Sequence, residues 1–324
     1  MAKAIRVHET GGPEVLRWED VEVPAPGQGE VLIHHTAVGL NYIDTYHRSG
    51  LYPLPLPTGL GSEAAGIVEA VGAGVTGFKT GDRVAYGSGS PGAYAEKKVA
   101  LADRLVKIPA GVTDEQAASM MLKGMTAQYL VRRTYKVKAG DAILVHAAAG
   151  GVGVILCQWA HHLGATVIGT VGSDAKGAVA KAHGCTHVIN YRTTKFLEEV
   201  KQLTDGKGVQ VVYDGVGKDT FLESLDCLAP LGLMASFGNA SGPVPPFNIG
   251  LLAQKGSLFL TRPTLFTYVQ KREDLVATAE ELFGVVGKGA VTIEVNQRYA
   301  LKDAAQAHRD LEARKTTGST VLIP

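Results

Sequence analysis

From Ala142 to Leu163 the chain reads AILVHAAAGGVGVILCQWAHHL, and this stretch limits the fold more than any other. AILVHA is an apolar run of strand length. Gly150, Gly151 and Gly153 cluster in the turn behind it, and 151–163 has the apolar spacing of a buried helix. A strand that feeds a helix through a glycine turn is the first half of a parallel βαβ unit. The alternation continues downstream. Strands are expected at 165–170, 187–189, 209–213 and 231–237, with helices at 174–183, 194–203 and 219–225. Short apolar strands alternating with helices of about ten residues predict an α/β fold with a doubly wound parallel sheet.

Upstream the rhythm differs. Glu30–Val38 (EVLIHHTAV), Ala64–Val71 (AAGIVEAV) and Thr80–Tyr86 (TGDRVAY) read as closely spaced strands bounded by glycine turns. Helical spacing begins at Asp114 and reaches Lys136. Past Gly256 come the apolar run SLFLT, a helix over 273–286 and a closing strand over 318–323. The arrangement expected is interrupted: a β-rich domain, a nucleotide-type domain, then a return to the first.

Charge and cysteine content bear on partners and setting. Lys+Arg of 32 against Asp+Glu of 31 supplies no basic field, which counts against a nucleic-acid partner. Apolar runs such as Val152–Leu156 are too short to cross a bilayer, and MAKAIRVHET has no export h-region. Cys157, Cys185 and Cys227 are odd in number and far apart, so they form neither a disulfide framework nor a zinc cluster. A reducing, cytoplasmic setting is expected.

Within Ala148–Ala149–Gly150–Gly151–Val152–Gly153 an alanine takes the place of the usual first glycine, which is tolerable if its φ stays negative. Gly150 and Gly151 would let the backbone approach a pyrophosphate, and Gly153 would let the helix pack on the strand. The open N–H groups of the helix start would meet the anion. A purely structural turn is the competing reading, and the flanking βαβ pattern favours the nucleotide. NAD-preferring sites place an acid at the tip of the second strand, about 20 residues on. Here that tip is Val171–Gly172–Ser173, with Asp174 beyond it. Ser173, Lys176, Tyr191 and Arg192 could hold a ribose phosphate, so NADPH is expected over NADH.

VHAAAGGVG, with GSEAAGIV (61–68) and TGDRV (80–84), resembles the medium-chain dehydrogenase/reductase superfamily. GLNYIDTYHRSGLYP (39–53), VVYDGVG (211–217), GLMASFGNASG (232–242) and SLFLTRP (257–263) are similar to its zinc-free quinone oxidoreductase branch, which includes zeta-crystallin. The resemblance spans essentially the whole chain. It implies a GroES-like catalytic domain over 1–124 and 265–324, a Rossmann NADPH-binding domain over 125–264, and a homodimer joined through the Rossmann sheets.

It also implies site residues. Asn41, Tyr42, Ile43, Asp44, Thr45 and Tyr46 would line the nicotinamide side, approached by Lys123 and Tyr129. Gly150, Gly151 and Val152 would meet the pyrophosphate, and Gly172, Ser173, Lys176 and Tyr191 the adenosine phosphate-ribose. Val216, Phe237, Gly238, Asn239, Ala240, Ser241, Gly242, Pro263, Thr264, Leu265 and Phe266 would flank the nicotinamide, and Arg314 closes the set.

Zinc-dependent members of the superfamily need Cys at position 41 and His at position 62. Asn41 and Ser62 stand there instead, so no metal is expected. His34–His35 and His161–His162 are adjacent pairs on single elements and do not converge on one ion. Without a metal, a quinone is the acceptor that asks least of the protein, because its reduced phenolic oxygens take protons from water. Catalysis then rests on holding the acceptor in reacting geometry. Asn41, Tyr46, Tyr52 and Lys123 are the candidates for that positioning, Lys123 and Arg262 through charge on a reduced oxygen. Reduction of an enone or alkenal double bond is the alternative reaction, and a nucleotide-dependent RNA-binding protein the third reading. SLFLT, an apolar edge-strand sequence, is the local cue for the dimer.

Overall fold

The structure is a computed structural model describing residues 1–324. Two compact units divide the chain. One comprises Met1–Met125, Tyr268–Gly287 and Ile293–Pro324, and the other Thr126–Thr267 with Lys288–Thr292. The first boundary falls inside a helix, Asp114–Tyr129, which ends in a π-helical turn over Leu130–Thr134.

The second unit is built on a six-stranded sheet, every neighbouring pair parallel. Its spatial order is His187–Asn190, Thr166–Val171, Ala142–Val145, Val209–Asp214, Leu228–Ser236, Phe259–Thr261. Numbered by position in the chain, that is the order 3-2-1-4-5-6 of the dinucleotide-binding fold. The direction of winding reverses between Ala142–Val145 and Val209–Asp214, so a crevice opens beyond their carboxyl ends. Both faces are covered, and the strands are apolar accordingly: Leu144, Ile168, Val209, Val212 and Met234 share one buried cluster with Phe196, Val200 and Phe221 of the helices.

In the first unit a seven-stranded sheet runs Val295–Ala300, Ser319–Ile323, Glu30–Gly39, Ala64–Val71, Arg83–Tyr86, Val106–Lys107, with Lys97–Leu101 pairing beside Glu30–Gly39. The carboxyl-terminal strand therefore pairs with an early one, Val321 opposite Gly39 and Leu322 opposite Val38. Alternation decides which side chains go inside. His34 is exposed on Glu30–Gly39, whereas His35 is buried and bonds Tyr86 and the Ala95 carbonyl. A smaller sheet joins Leu16–Val21, Ala2–Val7 and Thr58–Gly59.

Candidate functional site

Candidate site residues occur in each of the two units. In the second, the glycine turn follows Ala142–Val145 and opens the helix Gly151–His162, with Gly150 as N-cap. No side chain caps this helix, so its leading N–H groups remain for an anion. The tight conformation belongs to Ala147, at φ 53°, and not to Ala148, which stays outside the left-handed region and donates its N–H to the Thr170 carbonyl at 3.0 Å. One alanine carries the left-handed turn at a cost of about 1–2 kcal/mol. Gly153 is the residue that close packing demands: a Cβ there would lie 2.7 Å from the Ala148 carbonyl oxygen.

Beyond Thr166–Val171, Ser173 caps the helix Asp174–Ala182 by accepting the Lys176 N–H at 3.3 Å. Its hydroxyl proton is left for a further acceptor. The Asp174 carboxylate takes the Asn190 amide at 2.8 Å. Gly172 lets the Tyr191 ring come in: a Cβ on it would be 2.5 Å from the Tyr191 hydroxyl. Gly172, Ser173, Lys176 and Tyr191 thus gather at one strand tip that has no acid of its own.

Two further loops close at the carboxyl ends of Val209–Asp214 and Leu228–Ser236. The Asp214 carboxylate accepts the Val216 N–H at 2.7 Å and the Gly217 N–H at 3.1 Å. The Val216 carbonyl accepts both the N–H and the hydroxyl of Ser241, at 2.8 and 2.9 Å. A Cβ on Gly238 would strike the Gly215 backbone, so the two loops meet main chain to main chain. This sets Val216 beside the stretch 237–242. The 263–266 segment follows the edge strand, with Pro263 and Leu265 buried and Thr264 and Phe266 exposed. Arg262 donates to the carbonyls of Ser236 at 2.7 Å and Gly238 at 3.3 Å, which makes it a brace of this loop.

Beneath these loops His146, just past Ala142–Val145, links the strand Thr166–Val171 to the helix Phe221–Leu225. Ser224 donates to the Thr220 carbonyl at 2.7 Å, so it receives the His146 Nε2 proton at 2.8 Å, and Nδ1 accepts from the Thr170 hydroxyl at 2.9 Å. Burial lowers the His146 pKa and keeps the ring neutral.

In the first unit the helix Tyr42–Ser49 starts at Asn41, in extended conformation, and stops at left-handed Gly50. Its buried face is polar: Asp44, Thr45 and Arg48 go inside with Tyr46. Asn41 donates its N–H to Asp44 at 2.9 Å and its side-chain amide to Glu63 at 2.8 Å. Lys123 reaches the same Glu63 oxygen at 2.7 Å, and Leu122 N–H takes the other at 2.8 Å. Glu63 is fully buried and Lys123 nearly so. Lys123 is therefore half of a buried ion pair rather than a surface charge. Tyr46 packs against Tyr42 (ring centroids 5.9 Å) and Tyr52 (5.2 Å), with Tyr42 and Tyr52 only half-buried. Arg314, at φ 58° just past the helix Ala304–Glu312, acts electrostatically on Tyr42.

Sequence reading missed Glu63, Tyr94, Arg48, His308 and His146 as working residues. Arg48, His308 and Tyr94 meet one another, and Glu63 meets Asn41 and Lys123, only through tertiary contacts. Asp44 and Arg48 stand at i and i+4 on one helix face, a signal that was available, yet Arg48 pairs with Glu312.

Residues 27–110 match the family described as alcohol dehydrogenase GroES-like domain, and 151–289 that described as zinc-binding dehydrogenase. Nowhere do three or more His, Cys, Asp or Glu side chains converge in a group able to hold a metal ion. The chain is 57% identical to a quinone oxidoreductase of Pseudomonas aeruginosa, covering 100% of both. It is 47% identical to a 2-haloacrylate reductase of a Burkholderia species, covering 100% of this chain and 99% of the other. The crystal structure of Escherichia coli quinone oxidoreductase complexed with NADPH superposes with a TM-score of 0.98 at 50% identity, over 100% of each chain.

Proposed function

Because the chain belongs to the zinc-free quinone oxidoreductase branch of the medium-chain dehydrogenase/reductase superfamily, we propose that it reduces quinones with NADPH, without a metal. The observation that carries this reading is full-length kinship with quinone oxidoreductases, one of them solved with NADPH. The donor chemistry of this chain fits that coenzyme. Its strand tip at Val171–Ser173 presents a free hydroxyl proton, a helix N-terminus and nearby Lys176 where a carboxylate would repel a ribose phosphate.

When bound, the coenzyme supplies a hydride from its reduced nicotinamide. The chain's own residues bind and orient. Gly150, Gly151 and Val152 take the pyrophosphate on the helix start, and Gly172, Ser173, Lys176 and Tyr191 take the phosphate-ribose. Val216, Phe237 to Gly242 and Pro263 to Phe266 hold the nicotinamide portion, with Tyr129 and Arg314 as further contacts. Tyr42 and Tyr52, half-buried on either side of the buried Tyr46, offer ring faces and hydroxyls to a flat acceptor, and Asn41 and Asp44 fix the helix that carries Tyr42 and Tyr46. Lys123, held by Glu63, places its remaining N–H donors with little freedom. Quinone oxygens then take their protons from solvent.

A second reading, reduction of an activated C=C bond, is favoured by the likeness to the 2-haloacrylate reductase. Initial rates with 1,4-benzoquinone, an alkenal and 2-chloroacrylate, each with NADPH and NADH, decide between them. Fast NADPH oxidation with benzoquinone supports the first; turnover confined to the alkenes replaces it with the second.

The reading includes a cytoplasmic homodimer. Three free cysteines suit a reducing compartment, and no helix is long and apolar enough to cross a membrane. The edge strand Phe259–Thr261 pairs on one side only, and leaves Phe259 60% and Leu260 37% exposed. Pairing with its counterpart across a two-fold would cover it. Sedimentation should give twice the chain mass, and a monomer would remove this part of the proposal.

A further inference from the structure

The first unit buries more charge than acceptor binding uses. Arg48, 3% exposed, donates to the Gly11 carbonyl at 3.1 Å, to Glu312 at 2.7 and 3.0 Å, and to His308 Nδ1 at 3.0 Å. A guanidinium only donates, so Nδ1 of His308 accepts and the ring proton sits on Nε2. That proton points to the Tyr94 hydroxyl at 3.1 Å, and Tyr94 donates to Asp44 Oδ2 at 2.9 Å. One directed chain therefore runs Arg48, His308, Tyr94, Asp44. It ends on the carboxylate that holds the Asn41 N–H and so the start of the tyrosine helix.

Asp44 is the odd charge in this cluster. Arg48 is matched by Glu312 and Lys123 by Glu63, which leaves Asp44 with no cation of its own. It is fully buried, and its Oδ1 has no hydrogen-bond partner. A buried carboxylate in that position is costly, and a proton on the orphan oxygen relieves the cost.

We propose that Arg48, His308, Tyr94 and Asp44 form a positioning relay in which gain and loss of one proton at Asp44 sets the geometry of Asn41 and of the helix carrying Tyr42 and Tyr46. The proposal rests on the quinone-reductase reading. Asp44, expected from the resemblance to line the nicotinamide side, is fully buried and takes the Asn41 N–H and the Tyr94 hydroxyl instead, so it and the other three act as positioning residues. Burial raises Asp44 to about 7, with the Asn41 N–H, the Tyr94 hydroxyl and Lys123 favouring its charge and Glu63 opposing it. His308 is pushed down to about 3 by burial and then by Arg48, so it stays neutral and its tautomer stays fixed. The ionised carboxylate holds both of its donors more tightly. It is the form that orders the helix start and supports turnover.

The test has a coenzyme-free arm and a kinetic arm, each on wild type, Asp44→Asn and Tyr94→Phe. Without coenzyme or acceptor, the infrared band of one protonated carboxyl should vanish as pH rises through about 7, and the near-ultraviolet dichroism of the tyrosines should change with the same midpoint. Asp44→Asn should lack both transitions, and Tyr94→Phe should move both to higher pH. With NADPH and benzoquinone, kcat should rise about tenfold from pH 6 to pH 8, as one ionisation centred near 7 requires, with KM for NADPH unchanged. The rise should be absent in Asp44→Asn and displaced upward in Tyr94→Phe. A missing carboxyl transition, a tyrosine signal that ignores it, or a kcat profile identical in wild type and Tyr94→Phe overturns the proposal. Absence of all quinone turnover with both coenzyme-free transitions intact upholds the relay's titration and positioning, and overturns the reductase reading instead.

Discussion

Replacing Asp44 by Asn should change how stability depends on pH, by an amount the structure sets. The folded carboxyl is raised from 3.8 to about 7 by burial. At 1.36 kcal/mol per pH unit, that separates the two protonation states by ~4 kcal/mol. Between those pH values the folded chain holds a proton that the unfolded chain has lost, so this group makes stability fall as pH rises. Its contribution is complete below 3.8 and gone above about 7. In the Asp44→Asn variant the amide oxygen can still accept from the Asn41 N–H and the Tyr94 hydroxyl, and the group does not titrate. His308 and His35, held near 3 and near 4 by burial, have the opposite slope below pH 6.5, but they are common to both proteins and cancel in the difference. Paired urea titrations at pH 5 and pH 8, read by the near-ultraviolet dichroism of the first unit's tyrosines, give that difference. The variant should gain ~3 kcal/mol on the parent between the two pH values, two thirds of the full window. A difference that stays constant with pH would show that burial does not hold the proton on Asp44.

Three further outcomes are expected. Gly153→Ala drives a methyl against the carbonyls of Ala147 and Ala148, so it should cost about 1–3 kcal/mol and weaken NADPH binding in a fluorescence titration. Lys176→Ala should weaken NADPH binding about 10- to 100-fold, the value of a charged hydrogen bond, while leaving NADH binding unchanged. Lys123→Met strands Glu63 in the interior and should destabilise by about 3–5 kcal/mol in urea unfolding, and adding Glu63→Gln should recover part of the loss.

What the sequence made legible follows from period and local chemistry. The strands and helices of 142–236 were readable because each alternation is written within a few residues, and their ends move by three residues or fewer in the structure. The parallel order follows from the same rhythm. The turn was read one residue late: Ala147 takes the left-handed conformation, because the Ala148 N–H is needed by Thr170. The strands Ala2–Val7 and Leu16–Val21 went unread, as their apolar residues are interrupted by charge at Lys3, Arg6, Arg17, Glu19 and Asp20. The π-helical turn at Leu130–Thr134 leaves no periodic mark over so few residues. Buried polar groups were the least legible. Arg48 and His308 are 260 residues apart and touch only because the helix Ala304–Glu312 lies against the helix Tyr42–Ser49, and a lone arginine in a sequence looks like a surface charge.

On the proposed reading NADPH gives its hydride to a quinone with no metal taking part. Protein stripped by a strong chelator and verified metal-free by elemental analysis should oxidise one NADPH per benzoquinone converted to hydroquinone, at the rate of the untreated enzyme. Loss of that rate on stripping, restored by a stoichiometric divalent ion, would show that a metal takes part in the reaction.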